Sequence, residues 1–297
     1  WDNFFVLRGL KDAAAMAVIL GETADAVRIG AMRDAFRQDL YASIAETLKL
    51  HQIDFIPGAV ELGDFDPTST TVALDPGGEL GRLPQPALNR TFERYLDFFH
   101  ERQAGSLWEA YTPYEWRSVG TLIRLGRRDE ALKAIAFFLE GQRPPAWNHW
   151  AEVVWREPRN PRFIGDMPHT WVGSDFIRAV RSLFVYEREI DQALVIGAGI
   201  PAAWAESAEG VTVRRLPTWH GTLNYRMAMS GPDTLWVRLS GDVTVPPWRI
   251  ILHSPLDRPL QAVTVNGRPL MTFTTAAATL DQFPAEVEMH YAPVPAL

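Results

Sequence analysis

Cysteine is absent from the 297 residues of this chain, which excludes disulfide bonds and metal sites built from thiolates. The chain also lacks clusters of lysine and arginine, and its net charge is -7 at pH 7. Proteins that bind phosphate backbones draw their affinity from such clusters, so nucleic acid is not an expected partner. No unbroken apolar run approaches the roughly 18 residues of a membrane-spanning helix, so no membrane partner is expected either.

Several motifs of enzyme chemistry are missing as well. The sequence has no glycine-rich loop that would hold phosphate groups and no Gly-x-Ser-x-Gly turn, which argues against nucleotide-binding and serine-hydrolase classes. His149 and His169 are too far apart for a helix-borne metal pair, and Asp64 with Asp66 lacks the spacing of a calcium-binding loop. We therefore expect neither a metal nor a cofactor. The lack of cysteine is compatible with cytoplasmic, periplasmic and secreted proteins, so the localisation stays open.

The residues that are present describe a globular protein. Hydrophobic residues make up 47% of the chain and charged residues 22%, and this length is sufficient for two domains. The first residue is Trp1 rather than methionine. We therefore expect a processed or truncated chain.

The first part of the sequence carries helical periodicity, because apolar residues recur every three to four positions. Gly21 and Gly126 are expected to end helices, and Thr23 to cap one. The predicted helices are Phe5–Leu20, Thr23–Leu50, Thr70–Leu74, 89–99, Tyr114–Leu125, Asp129–Leu139 and Trp171–Glu187. Proline and glycine predict loops at Asp75–Pro86 and Gly141–Pro168. Residues 1–190 are therefore predicted to form a domain of helical hairpins.

Beyond about Ala193 the pattern changes to short apolar runs between Gly, Pro and Asp turns, which is typical of β-strands. The predicted strands are Gln192–Ile196, Val211–Val213, Leu223–Met227, Thr234–Leu239, Arg249–Leu252, Ala262–Val265 and Val287–Tyr291. The pair Asn266-Gly267 is a strong signal for a hairpin turn. Residues 191–297 are therefore predicted to form a small antiparallel β-sandwich.

Two loops carry the residues of chemical interest. The loop 58–71 holds Glu61, Asp64 and Asp66 within six residues, among Gly, Pro and hydroxyl side chains. Carboxylates held close together suit acid and base catalysis, since neighbouring negative charge favours the protonated form of one of them. A second loop, Trp147–Trp155, combines Glu152 with tryptophans. Together the two loops predict a carbohydrate site.

These loops also resemble motifs of a known superfamily. Glu61-Leu62-Gly63-Asp64-Phe65-Asp66-Pro67-Thr68-Ser69 resembles the Glu-x-Gly-x-Asp-x-Ser loop of trehalases and related inverting α-glucosidases. Trp150-Ala151-Glu152 with Gly165–Trp171 resembles the late loop and last inner helix of toroid enzymes such as the α-L-rhamnosidases. Helical hairpins followed by a β-domain complete the resemblance to the C-terminal portion of six-hairpin (α/α)6-toroid glycosidases.

The resemblance implies a fold and roles for individual residues. It implies an (α/α) toroid that is incomplete here, because seven or eight helices are predicted where a full toroid has twelve; an upstream N-terminal region or a second chain would complete it. Asp66 matches the general acid of the family, with Asp64 as an alternative because neither has the family's spacing from Glu61. Glu152 matches the glutamate that activates water. Trp1 and Asp2 resemble an aromatic-Asp element that binds sugar hydroxyls.

Aromatic residues strengthen the carbohydrate hypothesis, because flat rings suit the apolar faces of sugars. Substrate contacts are predicted for residues in the two loops, at helix starts and in the aromatic-Asp element, namely Trp1, Asp2, Glu61, Trp108, Arg117, Trp147, Trp150, His169 and Trp171. Trp116, Trp155 and Asn148 belong to the same group of aromatic and hydroxyl-binding candidates. Glu109 and Glu115 are rival acids, although Glu115 at a helix start also has an explanation in the helix dipole.

The leading hypothesis is a glycoside hydrolase that uses paired carboxylates to cleave an oligo- or polysaccharide, with inversion of the anomeric configuration. Inverting enzymes hold the two groups roughly 6.5–9.5 Å apart, which leaves room for water. One alternative is a polysaccharide lyase, which would use Tyr111, Tyr114, Arg117, Asn148 or His149. Another is a non-catalytic carbohydrate-binding fragment of a larger glycosidase.

Overall fold

The computed structural model describes residues 1–157, 165–246 and 249–293, and these contain eight α-helices and twelve β-strands. The helices are α1 Asp2–Leu20, α2 Thr23–His51, α3 Pro67–Leu74, α4 Ala87–Gln103, α5 Trp116–Arg124, α6 Arg128–Leu139, α7 Thr170–Phe184 and α8 Ala202–Glu206. The strands are β1 Ala110–Tyr111, β2 Val154–Trp155, β3 Val185–Arg188, β4 Ala193–Ile196, β5 Val211–Thr218, β6 Gly221–Gly231, β7 Thr234–Gly241, β8 Ile250–His253, β9 Leu260–Val265, β10 Arg268–Pro269, β11 Ala277–Leu280 and β12 Ala285–Tyr291.

This order confirms a helical region followed by a sheet-rich region, while the toroid stays a prediction. Part of the predicted loop Gly141–Pro168, residues 158–164, lies outside the described residues. Within the described residues, no helix combines the length and hydropathy needed to cross a lipid bilayer. The chain divides into two compact units, Trp1–Thr121 with Ala134–Phe176 and Leu122–Lys133 with Ile177–Leu297. The predicted boundary between residues 190 and 191 stays a prediction.

Helices α1 and α2 form the first hairpin, and Gly21 ends α1 as predicted. Gly21 has a left-handed backbone with φ 78°, a conformation that glycine adopts without the steric cost of a Cβ atom. The predicted cap at Thr23 is wrong, because Glu22 precedes the helix and Thr23 is its first residue. Helix α3 starts earlier than predicted, because Asp66 accepts a hydrogen bond from the backbone N–H of Ser69 and caps it.

A buried carboxylate fixes the predicted loop after α3 to the first hairpin. The side chain of Glu79 is fully buried and accepts hydrogen bonds from Lys11 Nζ at 2.8 Å, Arg37 Nε at 2.9 Å and the Tyr41 hydroxyl at 2.6 Å. Burial opposes ionisation, but these hydrogen bonds outweigh it and hold the pKa of Glu79 below its ordinary value. The loop is therefore tied to both α1 and α2 by charged hydrogen bonds.

Aromatic side chains form the centre of the first unit. The ring of Trp116 packs against Phe138 at 5.3 Å, Trp150 at 5.2 Å and Phe176 at 5.0 Å between centroids. Trp116 and Trp150 are among the most deeply buried large side chains. Edge-to-face contacts of this kind add to the free energy gained from burying apolar surface. This cluster joins α5, α6 and α7 to the loop that carries Trp150.

The second unit contains two sheets that share one hydrophobic core. The six-stranded sheet has the order β10-β9-β12-β7-β6-β5, and the four-stranded sheet has the order β11-β8-β4-β3. Buried residues of both sheets, such as Ile196 and Val237, belong to one cluster. The prediction of a purely antiparallel arrangement is wrong, because β4 and β8 pair in parallel. The turn at Asn266 and Gly267 is confirmed: Arg268 of β10 pairs with Val265 of β9.

The end of α7 corrects another prediction. The spacing predicts a helix that continues to Glu187, but α7 ends at Phe184 and the chain enters β3 directly. Val185 and Tyr186 are residue types that favour strands, and they pair with Ile196 and Val195 of β4. Strand pairing therefore overrides the helical spacing of this segment.

We expect the free energy of unfolding to fall at alkaline pH. Burial raises the pKa of Tyr95 in the first unit, with a further contribution from Glu115, and burial raises that of Tyr225 in the second unit. A folded-state pKa above the unfolded value of about 10 means that stability is complete below pH 10 and is lost as the pH rises above it. Urea unfolding followed by circular dichroism should show this loss, with tyrosinate absorbance rising as the protein unfolds. Full ionisation of the tyrosines while the circular dichroism stays native would contradict the prediction.

Candidate functional site

Glu152 lies beside a short two-stranded sheet that fixes its main chain. Tyr111 of β1 pairs with Val154 of β2. Next to this pair, the hydroxyl of Thr112 donates a hydrogen bond to the carbonyl oxygen of Glu152 at 3.0 Å. The N–H of Glu152 donates to the carbonyl oxygen of Asp166 at 3.3 Å. The carboxylate is therefore carried by a segment held from two sides.

Gly165 leaves the space that the side chain of Glu152 occupies. Gly165 has φ +74°, and a Cβ atom built on it would lie 2.2 Å from Oε2 and 2.3 Å from Cβ of Glu152. Both the backbone conformation and the close approach require glycine at this position. Any larger residue at position 165 would displace the side chain of Glu152.

Tyr114 and His169 form a hydrogen-bonded pair near Glu152. The Tyr114 hydroxyl lies 2.6 Å from Nε2 of His169. His169 is buried, and its Nδ1 lies 3.9 Å from Oδ2 of Asp166. Burial, together with the negative charge of Glu152, raises the pKa of Tyr114. Tyr114 therefore stays a neutral phenol near neutral pH, and it can donate a proton in a hydrogen bond.

A buried ion pair lies below the aromatic residues of this region. Arg117 Nε is 2.7 Å from Oδ2 of Asp175, and both side chains are more than nine-tenths buried. The Arg117 guanidinium carbon lies 4.3 Å from the ring centre of Trp1, 4.7 Å from that of Tyr114 and 5.8 Å from that of Trp171. Such cation–π contacts fix the rings around the guanidinium group. Among the residues that the structure describes, Nη1 of Arg117 has no hydrogen-bond partner.

Trp1 and Trp171 present aromatic surface next to this pair. Their ring centres are 6.4 Å apart with planes inclined at 31°, and Trp171 is 52% exposed. We use the term Glu152 cluster for the residues that are linked by the contacts above, namely Trp1, Tyr114, Arg117, Glu152, His169, Trp171 and Asp175. The cluster combines a carboxylate, a phenol–imidazole pair, the exposed indole of Trp171 and the partly buried indole of Trp1.

The loop 58–71, which we call the acidic loop, is built differently, because its aspartates accept hydrogen bonds from its own backbone. Asp64 accepts hydrogen bonds from the N–H of Ala59 through Oδ1, at 2.9 Å, and from the N–H of Gly58 through its carbonyl oxygen, at 3.0 Å. Asp66 caps α3 and also accepts a hydrogen bond from the Ser69 hydroxyl. Both carboxylates surround Gly58, whose Cβ position would lie 2.8 Å from Oδ2 of Asp64 and from Cβ of Asp66. These contacts give each aspartate a structural role in addition to any catalytic one.

Trp1 borders both the acidic loop and the Glu152 cluster. Trp1, Gly58 and Ala59 are among the residues that line a cavity of about 50 Å³. The ring of Trp1 also contacts Arg117 and Trp171. Trp1 therefore borders residues of the acidic loop on one side and residues of α5 and α7 on the other.

The remaining predicted contact residues lie outside the Glu152 cluster. Trp150 is only 1% exposed, and its indole N–H donates to the carbonyl oxygen of Phe138, so its ring belongs to the core. Asp2 and Glu61 are exposed on the surface, as is Trp147. Trp108 is half-buried and packs on Tyr111 and Phe137. Their predicted roles in substrate binding stay predictions.

The rival acids and the residues named for a lyase include both buried and exposed side chains. Glu115 is buried and forms an ion pair with Arg102, with a further hydrogen bond from the Tyr95 hydroxyl at 2.9 Å. This pairing explains Glu115 without a catalytic role. The imidazole of His149 lies against the backbone of Trp150 and against Gly173. Glu109 and Asn148 are exposed.

Sequence reasoning did not identify Asp175 as part of the site, and it gave Gly165 no role beyond its place in the motif Gly165–Trp171. Asp175 lies within an amphipathic helix, where a single aspartate is typical of the polar face. Gly165 follows the ordinary pattern of a loop glycine. In the part of the chain that the structure describes, no three His, Asp or Glu side chains are grouped so that they could hold a metal ion.

Comparisons with known proteins give little further information. No family model and no curated protein matches the chain. Among solved structures, it is similar to the crystal structure of Ara127N-Se, a GH127 β-L-arabinofuranosidase from Geobacillus stearothermophilus T6, with 14% sequence identity and a TM-score of 0.24. The similarity covers 41% of this chain and 18% of that one. A similarity at this TM-score carries no argument about fold or function.

The replacement Gly165→Ala tests how closely Gly165 and Glu152 are packed. We expect it to destabilise the protein by more than Gly126→Ala, measured by urea unfolding. Gly126 has nearly the same φ, +75°, but open space at its Cβ position, so its replacement costs only the backbone strain of about 1–2 kcal/mol. At position 165 the main chain must also move away from Cβ of Glu152. Equal losses of stability in the two variants would show that Glu152 is not packed against Gly165.

Proposed function

We propose that this protein is a glycoside hydrolase in which Glu152 is the carboxylate that activates water. The observation that carries the proposal is the Glu152 cluster, in which a carboxylate on a fixed segment lies near a neutral phenol, and the ring of this phenol contacts the partly exposed indole of Trp171. Sugar rings bind through their apolar faces to aromatic surfaces and through their hydroxyls to polar groups. Trp171 and Trp1 offer the first kind of contact, and the buried Nη1 of Arg117, which has no hydrogen-bond partner in the described parts of the chain, is a donor for the second.

We assign the second catalytic carboxyl group, the general acid, to the acidic loop. Asp66 is the first candidate and Asp64 the second, as the sequence motif implies. Gly58 and Ala59 of the same loop line a cavity together with Trp1 of the Glu152 cluster, which supports this assignment. Inversion requires a space for water between the two carboxyl groups, with a separation of roughly 6.5–9.5 Å.

The proposal extends to the architecture and the partners. We propose that the helical region is part of an (α/α) toroid whose remaining hairpins come from an upstream region or from a second chain. Residues 1–190 would carry catalysis, and residues 191–297 would form the accompanying β-domain. The substrate is an oligo- or polysaccharide, and no cofactor is required.

Substrates with different leaving groups separate the roles of the two carboxyl groups. A 4-nitrophenyl glycoside needs little help from a general acid, because nitrophenolate leaves without protonation, whereas a natural glycosidic bond needs it. Glu152→Gln should lower kcat/KM by about 100-fold or more on both kinds of substrate. Asp66→Asn should lower it mainly on the oligosaccharide, and asparagine still caps α3, so folding is preserved.

Glu101→Gln serves as the control, because Glu101 is an exposed carboxylate of α4. We expect this variant to have the kcat/KM of the wild-type chain on both substrates. Unchanged kcat/KM in Glu152→Gln would remove Glu152 from the mechanism. Unchanged values in both Asp66→Asn and Asp64→Asn would remove the acidic loop. Binding of oligosaccharides without turnover by the wild-type chain would favour the carbohydrate-binding fragment.

The Tyr114–His169 pair favours a polysaccharide lyase as a second candidate, because lyases transfer the proton through a tyrosine or a histidine. Arg117 argues against it, because Asp175 already compensates its positive charge, which a lyase would need to neutralise a uronate. A lyase would release an unsaturated product that absorbs ultraviolet light from pectin or alginate, and Tyr114→Phe would abolish this absorbance. We expect no such product; its appearance would replace the hydrolase proposal.

A further inference from the structure

A further concave surface lies at the far end of the β1–β2 ladder. Residues that precede β1 and follow β2 line an open cavity of about 370 Å³, namely Leu107, Trp108, Glu109, Arg156 and Glu157. This volume is within the usual range for pockets that hold small ligands. We call these five residues the Trp108 surface.

The side chains of the Trp108 surface have complementary chemistry for a sugar ring. Trp108 is half-buried, with Tyr111 at 5.6 Å and Phe137 at 6.1 Å behind it, so its indole is held in place while it borders the cavity. Glu109, Arg156 and Glu157 are exposed around it. A guanidinium donates hydrogen bonds to hydroxyl oxygens and carboxylates accept them from hydroxyl protons.

Backbone hydrogen bonds connect the Trp108 surface to Glu152. Ala110 pairs with Trp155, and the N–H of Arg156 donates to the carbonyl oxygen of Glu109 at 2.9 Å, which extends the ladder by one step. At the other end, Thr112 donates to Glu152. Arg156 follows Glu152 by four positions, and an extended chain of this length spans at most about 14 Å. A separation up to this limit is within reach of a short chain of linked rings.

We propose that the Trp108 surface is an outlying subsite that binds a sugar residue remote from the bond that is cleaved, so that the substrate is a chain of several linked sugars. This inference rests on the proposed function, because it takes Glu152 as the reacting position. It deepens that function by naming the substrate class: an extended oligosaccharide, bound at Glu152 and at Trp108 together.

Binding measurements on chains of different length test the subsite. The probes are disaccharides and pentasaccharides of the cello, xylo, malto and arabino series, titrated by calorimetry into the Glu152→Gln protein so that they are not consumed. In this background Trp108→Ala should weaken pentasaccharide binding by about tenfold and leave disaccharide binding unchanged. Trp219→Ala, which removes a tryptophan that is 60% exposed and lies outside both surfaces, should change neither.

Arg156→Ala provides a second variant, because Arg156 is exposed and its loss should not disturb the core under Trp108. It should also weaken pentasaccharide binding selectively. The inference is overturned if Trp108→Ala and Arg156→Ala bind the pentasaccharides as tightly as the parent does, if they lose affinity equally for both lengths, or if no probe binds the parent.

Hydrolysis assays on the same variants separate this inference from the proposed function. Turnover that Glu152→Gln abolishes, with no dependence of binding on Trp108, leaves the proposed function standing and removes the subsite. Length-dependent binding that requires Trp108, without turnover by the wild-type chain, keeps the binding surface and removes the hydrolase.

Discussion

The buried ion pair of Arg117 and Asp175 is the interaction on which the candidate site depends. The guanidinium group contacts the rings of Trp1, Tyr114 and Trp171, so its position fixes the aromatic side of the Glu152 cluster. Removing one partner of such a pair leaves an uncompensated buried charge, at a typical cost of about 3–5 kcal/mol. The pair therefore has a greater structural effect than an exposed ion pair, which contributes about 0–1 kcal/mol.

Much of the fold follows from hydrophobic periodicity. Helix α2 extends from Thr23 to His51, close to its predicted range, because its spacing is regular and Gly21 stops the preceding helix. Strands β1 and β2 were missed, since two residues have no period to detect. Strand β11 was missed because Ala277–Leu280 is poor in β-branched residues. The parallel pairing of β4 with β8 is a long-range contact that no local pattern encodes.

The candidate site was predictable in part. The residues that were predicted leave a signal in the sequence, and the others depend on tertiary contacts. Glu152, with tryptophans on both sides of it in the sequence, gave a compositional signal. The burial of Trp150 could not be inferred, because a tryptophan in a loop is equally suited to the core and to a ligand surface. The role of Asp175 depends on which helix faces Arg117, and the role of Gly165 depends on a close approach across a loop. Such contacts are set by tertiary structure and leave no spacing in the sequence.

Binding of a sugar against the Glu152 cluster is the central claim. The most direct measurement is a crystal structure of the Glu152→Gln variant grown with an oligosaccharide. We predict a sugar ring packed on the exposed indole of Trp171 or on Trp1, with a sugar oxygen within hydrogen-bond distance of the side chain at position 152. A sugar bound elsewhere on the protein, with the Glu152 cluster left untouched, would contradict the claim.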